Sequence, residues 1–409
     1  MKEQDGLPPR RHLSLGAIRR WDLLAPLCML FLTLMGIFAI HSAQSAFHGT
    51  QWRGQVVWFL GGIALYVLCA AMDYRIFLRQ AHWLYGAGIL LLLALWTPLG
   101  VSHCGAQRWI RLFCLQLQPA ELAKLTTIFL LSATLSRTRI DGAIESKFLL
   151  LRLFVIFSIP WLLIFLQPDL GSALILPPIL LALLYVSGLP GRFFLLLAAF
   201  AFAVLALLAW DIFRYRNFLD ESSLCPDRHG GLYQSHSLFP LKDYQRNRIL
   251  GFVAPAAVDP QGTNISWNLR QSLIAVGSGG FSGRGSGDDQ TRLGYLPRSV
   301  ATNDFLFSTL AEGKGFLGAF SAVTMLMVLS WNNLRIARLS RDRFGRYLAV
   351  SAAILLAMHT LINVGMTLGL MPITGVPLPF LSYGGSFLIV CFLLQGIVQS
   401  VYHRRQNLD

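Results

Sequence analysis

The sequence predicts an all-α integral membrane protein with about ten transmembrane helices and a long extracytoplasmic loop between the seventh and eighth. Three observations predict it. Of 409 residues, 55% are hydrophobic and only 13% are charged, against about 25% charged in a soluble domain. The mean hydropathy is +0.55, and too few charges remain to coat a water-facing surface. The apolar residues come in long unbroken runs, not in the alternation that a membrane β-barrel would show. The whole chain, 1–409, reads as a single polytopic membrane domain.

A helix needs about 20 apolar residues to cross a bilayer. Runs of that kind lie at Leu23–His41, Val56–Met72, Trp83–Val101, Pro119–Leu135, Leu153–Gln167, Leu170–Leu189, Phe193–Trp210, Phe305–Leu329, Tyr347–Gly369 and Leu378–Tyr402. The fifth is short, and the eighth carries Glu312 and Lys314. No short charged segment precedes the first run and no small-residue cleavage site follows it, so it reads as a retained span.

Lys and Arg concentrate on the cytoplasmic side of membrane proteins. With the N-terminus inside, the inner segments hold Arg10, Arg11, Arg19, Arg20, Arg137, Arg139 and the Arg335–Arg346 cluster, while the short outer loops hold only Arg53, Arg108 and Arg111. This bias also accounts for the net charge of +14 without nucleic acid. Both termini, 1–21 and 403–409, are then cytoplasmic tails, and the protein spans the cytoplasmic (inner) membrane. Residues 211–303 form the large outer loop, whose second half keeps an ordered pattern of apolar residues and glycines. Cys28, Cys69 and Cys391 act as small apolar residues within spans. Cys104 and Cys114 share one outer loop, where a disulfide is geometrically open, and no Cys/His spacing marks a metal site.

Ionisable groups at membrane depth are costly and point to function. Glu121, Asp169, Asp304 and Glu312, with Arg108, Lys124 and Lys314, all fall in or beside the outer half of the spans. Glu121 and Lys124 stand three apart, on one helix face. They are either a self-neutralising pair behind Pro119 or an anion site with Lys124 turned to a phosphate. Asp169 follows Pro168 and suits the cap of the next helix. Asp304 suits the first turn of the eighth span, and equally a general base at the water–membrane boundary.

The run Gly277-Ser-Gly-Gly280-Phe-Ser-Gly283-Arg-Gly285-Ser-Gly287 is neither a Walker loop nor a Rossmann fingerprint. It is a flexible turn or a weak backbone nest for pyrophosphate. Pro372–Ser386 holds three prolines between Pro372 and Pro379 and the pair Gly384-Gly385. Such backbone survives at membrane depth only against protein or a watery cavity, so it is expected to line the outer cavity.

In order along the chain, Gly105-Ala-Gln-Arg-Trp109, Pro119-Ala-Glu-Leu-Ala-Lys124, Gln167-Pro-Asp-Leu-Gly171, Gly277-Ser-Gly-Gly280, Asn303-Asp-Phe305 and Pro377-Leu-Pro-Phe-Leu-Ser-Tyr-Gly-Gly-Ser386 resemble the landmarks of the SEDS family (shape, elongation, division and sporulation). The resemblance runs from about Trp21 to Arg405. Tyr244-Gln-Arg-Asn-Arg248, Gln271-Ser272 and Gln167-Pro-Asp-Leu170 look more like the RodA branch than the FtsW branch.

The resemblance implies a peptidoglycan glycosyltransferase that polymerises lipid II, the undecaprenyl-pyrophosphate disaccharide-peptide, at the outer membrane face during elongation. It implies Asp304 as the catalytic carboxylate, and Arg108, Trp109, Glu121, Lys124 and Asp169 as substrate-binding residues. It implies a class B penicillin-binding protein as transpeptidase partner, alongside membrane proteins of the elongation machinery. A divalent cation, Mg or Mn, could accompany the pyrophosphate, although the sequence shows no dedicated cage. Three departures stand out: Asn303-Asp-Phe-Leu-Phe307 replaces Thr-Asp-Phe-Ile-Phe, Glu312-Gly-Lys-Gly315 replaces Glu-Glu-Leu-Gly, and the spacing from Pro297 to Asp304 is longer than is typical of the RodA branch. The competing readings are an FtsW-like division enzyme, a lipid II flippase and a non-catalytic scaffold.

Overall fold

The computed structural model describes residues 21–405, apart from 45–48, 104–105, 113–114, 139–142, 168, 223–242, 256–258, 260–261, 263–265 and 286–294. Ten long helices carry the fold: α1 Leu24–Gln44, α2 Gln51–Ala71, α3 Arg75–Ala94, α4 Pro119–Arg137, α5 Ala143–Leu166, α6 Leu170–Val186, α7 Gly191–Ser222, α11 Leu306–Leu339, α12 Arg343–Thr367 and α13 Gly385–His403. Between α7 and α11 lie α8 Asp243–Val253, α9 Trp267–Gly279 and the short α10 Arg298–Ala301. Three strands, β1 Gly100–His103, β2 Ala106–Leu112 and β3 Leu115–Leu117, join α3 to α4.

Eight of the long helices are apolar and long enough to cross a membrane. The other two are α6, which is shorter, and α4. The α4 helix carries Glu121, Lys124 and several Ser and Thr residues, and it buries nearly every side chain against neighbouring helices. It needs protein around it, as α7, whose most apolar stretch is 0% buried, does not. The α12 helix is central, packed on α4, α6 and α11, while α13 packs on α2 and α1 on α11. One continuous apolar core joins these elements.

The structure amends the predicted elements at several places. The third apolar run was expected to be helical to Val101, but α3 ends at Ala94. Pro98 follows, and Gly100 N–H turns back to the Thr97 carbonyl at 3.0 Å. The chain then alternates, and β1-β2-β3 form an antiparallel sheet with Ile110 opposite Leu117 and Val101 opposite Trp109. A small sheet therefore covers one end of an otherwise helical protein. Helix α7 continues past Trp210 to Ser222, because Ile212, Tyr215 and Leu219 pack on Leu250 of α8. The last span starts at Gly385 and not at Leu378, since Pro377, Pro379 and the glycine pair keep the preceding residues out of the helix.

The glycine run proves to be structural across its described part. Helix α11 breaks at Gly315 (φ 64°, ψ −162°), and residues 279–285 pack into the break. Phe316 N–H donates to Gly280 O at 2.8 Å and Leu317 N–H to Phe281 O at 3.2 Å. In return Arg284 N–H donates to Glu312 O at 3.0 Å and Gly285 N–H to Gly313 O at 3.1 Å. A Cβ on Gly315 would collide with Gly283 N and Phe281 O, so the two backbones meet only because the side chains are absent. These amides are committed to backbone partners and do not form a phosphate nest. Residues 286–287 of the run, and the Cys104–Cys114 pairing, lie outside the described residues.

Candidate active site at the hairpin end of the bundle

The site forms where the β-hairpin, the starts of α4, α6 and α11, and the segment 372–384 meet. The hairpin is fastened there by Ser386, whose hydroxyl donates to Gln116 O at 2.8 Å and accepts from Gln118 N–H at 3.3 Å. The 372–384 segment is largely buried, with Val376, Leu378, Phe380 and Leu381 in the core. Leu378 N–H closes on Ser382 Oγ at 2.9 Å, and Gln55 Nε2 donates to Ser382 O at 3.1 Å. Irregular backbone at this depth is thus covered by protein.

Asp169 caps α6: its Oδ1 accepts from Ser172 N–H at 3.2 Å. Its Oδ2 accepts from Gln118 Nε2 at 3.3 Å. Arg108, from β2, brings Nη1 to 4.0 Å from Asp169 Oδ1, an electrostatic contact longer than a hydrogen bond. Trp109 is the next residue of the strand and pairs with Val101, while Arg108 is left unpaired where the register shifts, as at a β-bulge.

Asp304 lies between α10 and α11. The cap position of α11 is Phe305, so Asp304 stands one residue before the cap and outside the first turn expected from sequence. The Asp304 backbone carbonyl accepts from Asn363 Nδ2 at 2.8 Å. Among the described residues its carboxylate accepts no hydrogen bond. Gly375 (φ 72°) passes beside it, and a Cβ there would lie 3.3 Å from Asp304 Oδ2. Burial pushes the Asp304 carboxyl up to about 6 and the nearby Asp169 charge adds to this, while Arg108 and Arg248 oppose it. A carboxyl tuned this way can take a proton near neutral pH.

Glu121 and Lys124 sit beneath this level and are buried at 2% and 0% exposure. Lys124 Nζ lies 2.8 Å from Glu121 Oε1 and 3.2 Å from His359 Nε2. The structure therefore turns Lys124 into the core and not towards an open cavity. Glu312 is also buried, with its backbone carbonyl held by the glycine segment.

Three residues were not singled out from sequence. Arg248, on α8, enters the electrostatic surroundings of Asp304. Asn363 and His359, one turn apart on α12, bond the site from below. A histidine inside an apolar span is itself a buried ionisable group, and that signal could have found His359.

Residues 22–407 match the family of cell cycle proteins that groups FtsW, RodA and SpoVE. The chain is 30% identical over 403 residues to a probable peptidoglycan glycosyltransferase FtsW of Geobacter metallireducens, covering 97% of this chain and 98% of the relative. It is 31% identical over 386 residues to the peptidoglycan glycosyltransferase MrdB of Escherichia coli K12, covering 94% of each. Among solved structures it resembles a chain of a peptidoglycan synthase complex that coordinates polymerization and crosslinking, with TM-score 0.73, 27% identity and coverage of 95% and 99%. It also resembles the rod shape determining protein RodA of Thermus thermophilus, with TM-score 0.64, 25% identity and coverage of 95% and 98%.

Proposed function

The chain belongs to the FtsW, RodA and SpoVE family of cell cycle proteins, and from that premise we propose how its site works as a peptidoglycan glycosyltransferase. It is a multi-pass membrane enzyme that polymerises lipid II into glycan strands. The observation that carries the mechanism is Asp304, a carboxylate with no hydrogen bond among the described residues, within the electrostatic reach of Arg108 and Arg248.

The acceptor sugar's 4-hydroxyl attacks the anomeric carbon of the donor strand. A new C–O bond forms, the bond from that carbon to the prenyl diphosphate breaks, and the hydroxyl proton passes to Asp304. General base catalysis contributes about 10²–10⁴-fold. Arg108 and Arg248 stabilise the charge that develops on the departing diphosphate. Asp169 orients Arg108, and Trp109, the next residue of the strand, offers an aromatic face to the substrate. Glu121 and Lys124 act on substrate through the field and shape of the floor beneath it.

A divalent cation would have to arrive with the diphosphate. Among the described residues no three His, Cys, Asp or Glu side chains converge, and both Asp169 oxygens already hold Ser172, Gln118 and Arg108. No step depends on such an ion.

In this reading the hairpin end faces the outside of the cytoplasmic membrane and both termini face the cytoplasm, as the Lys and Arg bias favours. The branch is RodA-like, serving elongation with elongation-machinery membrane proteins. The partner is a class B penicillin-binding protein that crosslinks the new strands. The likeness to a chain of a complex that couples polymerization to crosslinking supports this partnership. Purified protein incubated with labelled lipid II in detergent is the test. Wild type should make glycan strands, and Asp304→Asn, equally folded, should make none. A flippase or a scaffold makes no polymer at all.

A further inference from the structure

His359 lies in none of the motifs that carry the resemblance, and the structure buries it completely, at 0% exposure. Both ring nitrogens are engaged. Nε2 is 3.2 Å from Lys124 Nζ, and Nδ1 is 3.2 Å from the Pro377 carbonyl oxygen. Phe387 stacks on the ring with centroids 4.5 Å apart.

These neighbours select one protonation state. A carbonyl oxygen only accepts, so Nδ1 must carry the hydrogen. The Lys124 ammonium, paired with Glu121, only donates, so Nε2 must offer its lone pair. A doubly protonated ring would set N–H against N–H and place a second cation beside Lys124. The ring is therefore neutral and in the Nδ1–H form.

One helical turn further on, Asn363 Nδ2 donates to Val376 O at 2.7 Å and to Asp304 O at 2.8 Å. His359 and Asn363 share a face of α12 and grip two successive residues, Val376 and Pro377. Gly375, just before them, is the residue that passes beside the Asp304 carboxylate. A continuous path of hydrogen bonds and backbone runs from Glu121 through Lys124, His359, Pro377 and Val376 to Asn363 and Asp304.

We propose that His359 is a positioning residue for glycosyl transfer, a neutral Nδ1–H imidazole that couples the buried Glu121–Lys124 pair to the backbone holding Asp304. It touches no substrate. It sets the height and direction of the carboxylate by pinning the loop behind it. This rests on the reading of Asp304 as the base.

The tautomer is measurable without turnover. The full-length protein, labelled with 15N-histidine, holds nine histidines, and the His359 signal is the one lost in His359→Gln. We expect Nδ1 protonated and Nε2 bare, with the Nε2 shift moving in Lys124→Met. An Nε2–H or doubly protonated ring overturns the proposal. In lipid II polymerisation His359→Gln should stay within about threefold of wild type, because a carboxamide can accept from Lys124 and donate to Pro377 O. His359→Leu should lose about tenfold or more in kcat, the scale of a lost hydrogen bond to a charged group, with KM little changed. A Leu variant as active as wild type, or a Gln variant as impaired as Leu, overturns it too. Should the Leu variant fail to insert, the tautomer and the Gln variant decide. If Asp304→Asn polymerises normally, the base assignment fails while the tautomer result stands or falls by itself.

Discussion

Replacing Asp304 by Asn should abolish polymerisation and at the same time stabilise the protein at neutral pH. The carboxyl is raised from an ordinary value of 3.8 to about 6, chiefly by burial and then by Asp169. Below pH 3.8 the folded and unfolded chains both hold the proton, and the site costs nothing. Between 3.8 and about 6 the unfolded chain releases its proton first, so stability falls as pH rises. Above about 6 the penalty is complete. Two pKa units correspond to about 3 kcal/mol, and solvent screening of a partly exposed group lowers this to about 1–3 kcal/mol. Asn has no proton to lose and keeps the backbone carbonyl that Asn363 holds. Its gain over wild type should therefore be about 1–3 kcal/mol at pH 7.5, shrinking towards zero near pH 4. Thermal unfolding in detergent across that range reads the gain, and lipid II polymerisation reads the activity. Wild-type turnover should fall as pH drops through about 6, because the protonated carboxyl cannot act as base. An Asn variant that polymerises, or that is less stable at pH 7.5, or whose gain does not vary with pH, refutes the reasoning.

Three further outcomes are expected. Lys124→Met leaves the Glu121 carboxylate buried without its cation and should cost about 3–5 kcal/mol, while Glu121→Gln combined with Lys124→Met should recover most of it in thermal denaturation. Gly315→Ala forces a Cβ against Gly283 N and Phe281 O at φ 64°, and should cost more than about 2 kcal/mol or prevent insertion. Gly86→Ala, inside α3 with nothing within 4 Å, should instead leave stability unchanged or raise it by up to about 1 kcal/mol. A cysteine at Arg111 should label from outside the cell and one at Arg341 only from inside, and reversed sidedness removes the site from the face where lipid II is polymerised.

Hydropathy alone carries much of the architecture, because lipid demands long apolar runs and ten were present. It fails where protein replaces lipid as the neighbour. Helix α4 was still found, as the run Pro119–Leu135, although Glu121 and Lys124 lower its hydropathy and neighbouring helices bury them both. The hairpin was missed because Leu95–Val101 continues an apolar run that Thr97, Pro98 and Gly100 interrupt only singly or in a pair. The glycines at 279–285 read as flexible or phosphate-binding because their role depends on a break some thirty residues later in the chain, at Gly315. Asp304, Asp169 and Arg108 were legible as costly charges near one membrane face. His359, Asn363 and Arg248 were not, because their significance lies in which backbone atom or charge they meet across the bundle.

Helix α7 has a consequence for how freely this sequence can drift. In its most apolar stretch 0% of the residues are buried, against 72% in α12. Its outer turns are held instead by the Asp211–Arg246 ion pair at 3.1 Å, with both side chains fully buried, and by Tyr215 Oη donating to Asn247 Oδ1 at 2.8 Å. Lipid tails adapt to any apolar contour, so Leu, Phe, Val and Ala are nearly interchangeable along Leu195–Leu207. Most of α12 is packed against neighbouring helices, and there one methyl group is felt. Two helices of similar composition thus differ sharply in mutational tolerance, and the constraint on α7 is concentrated in the few polar residues that anchor its end.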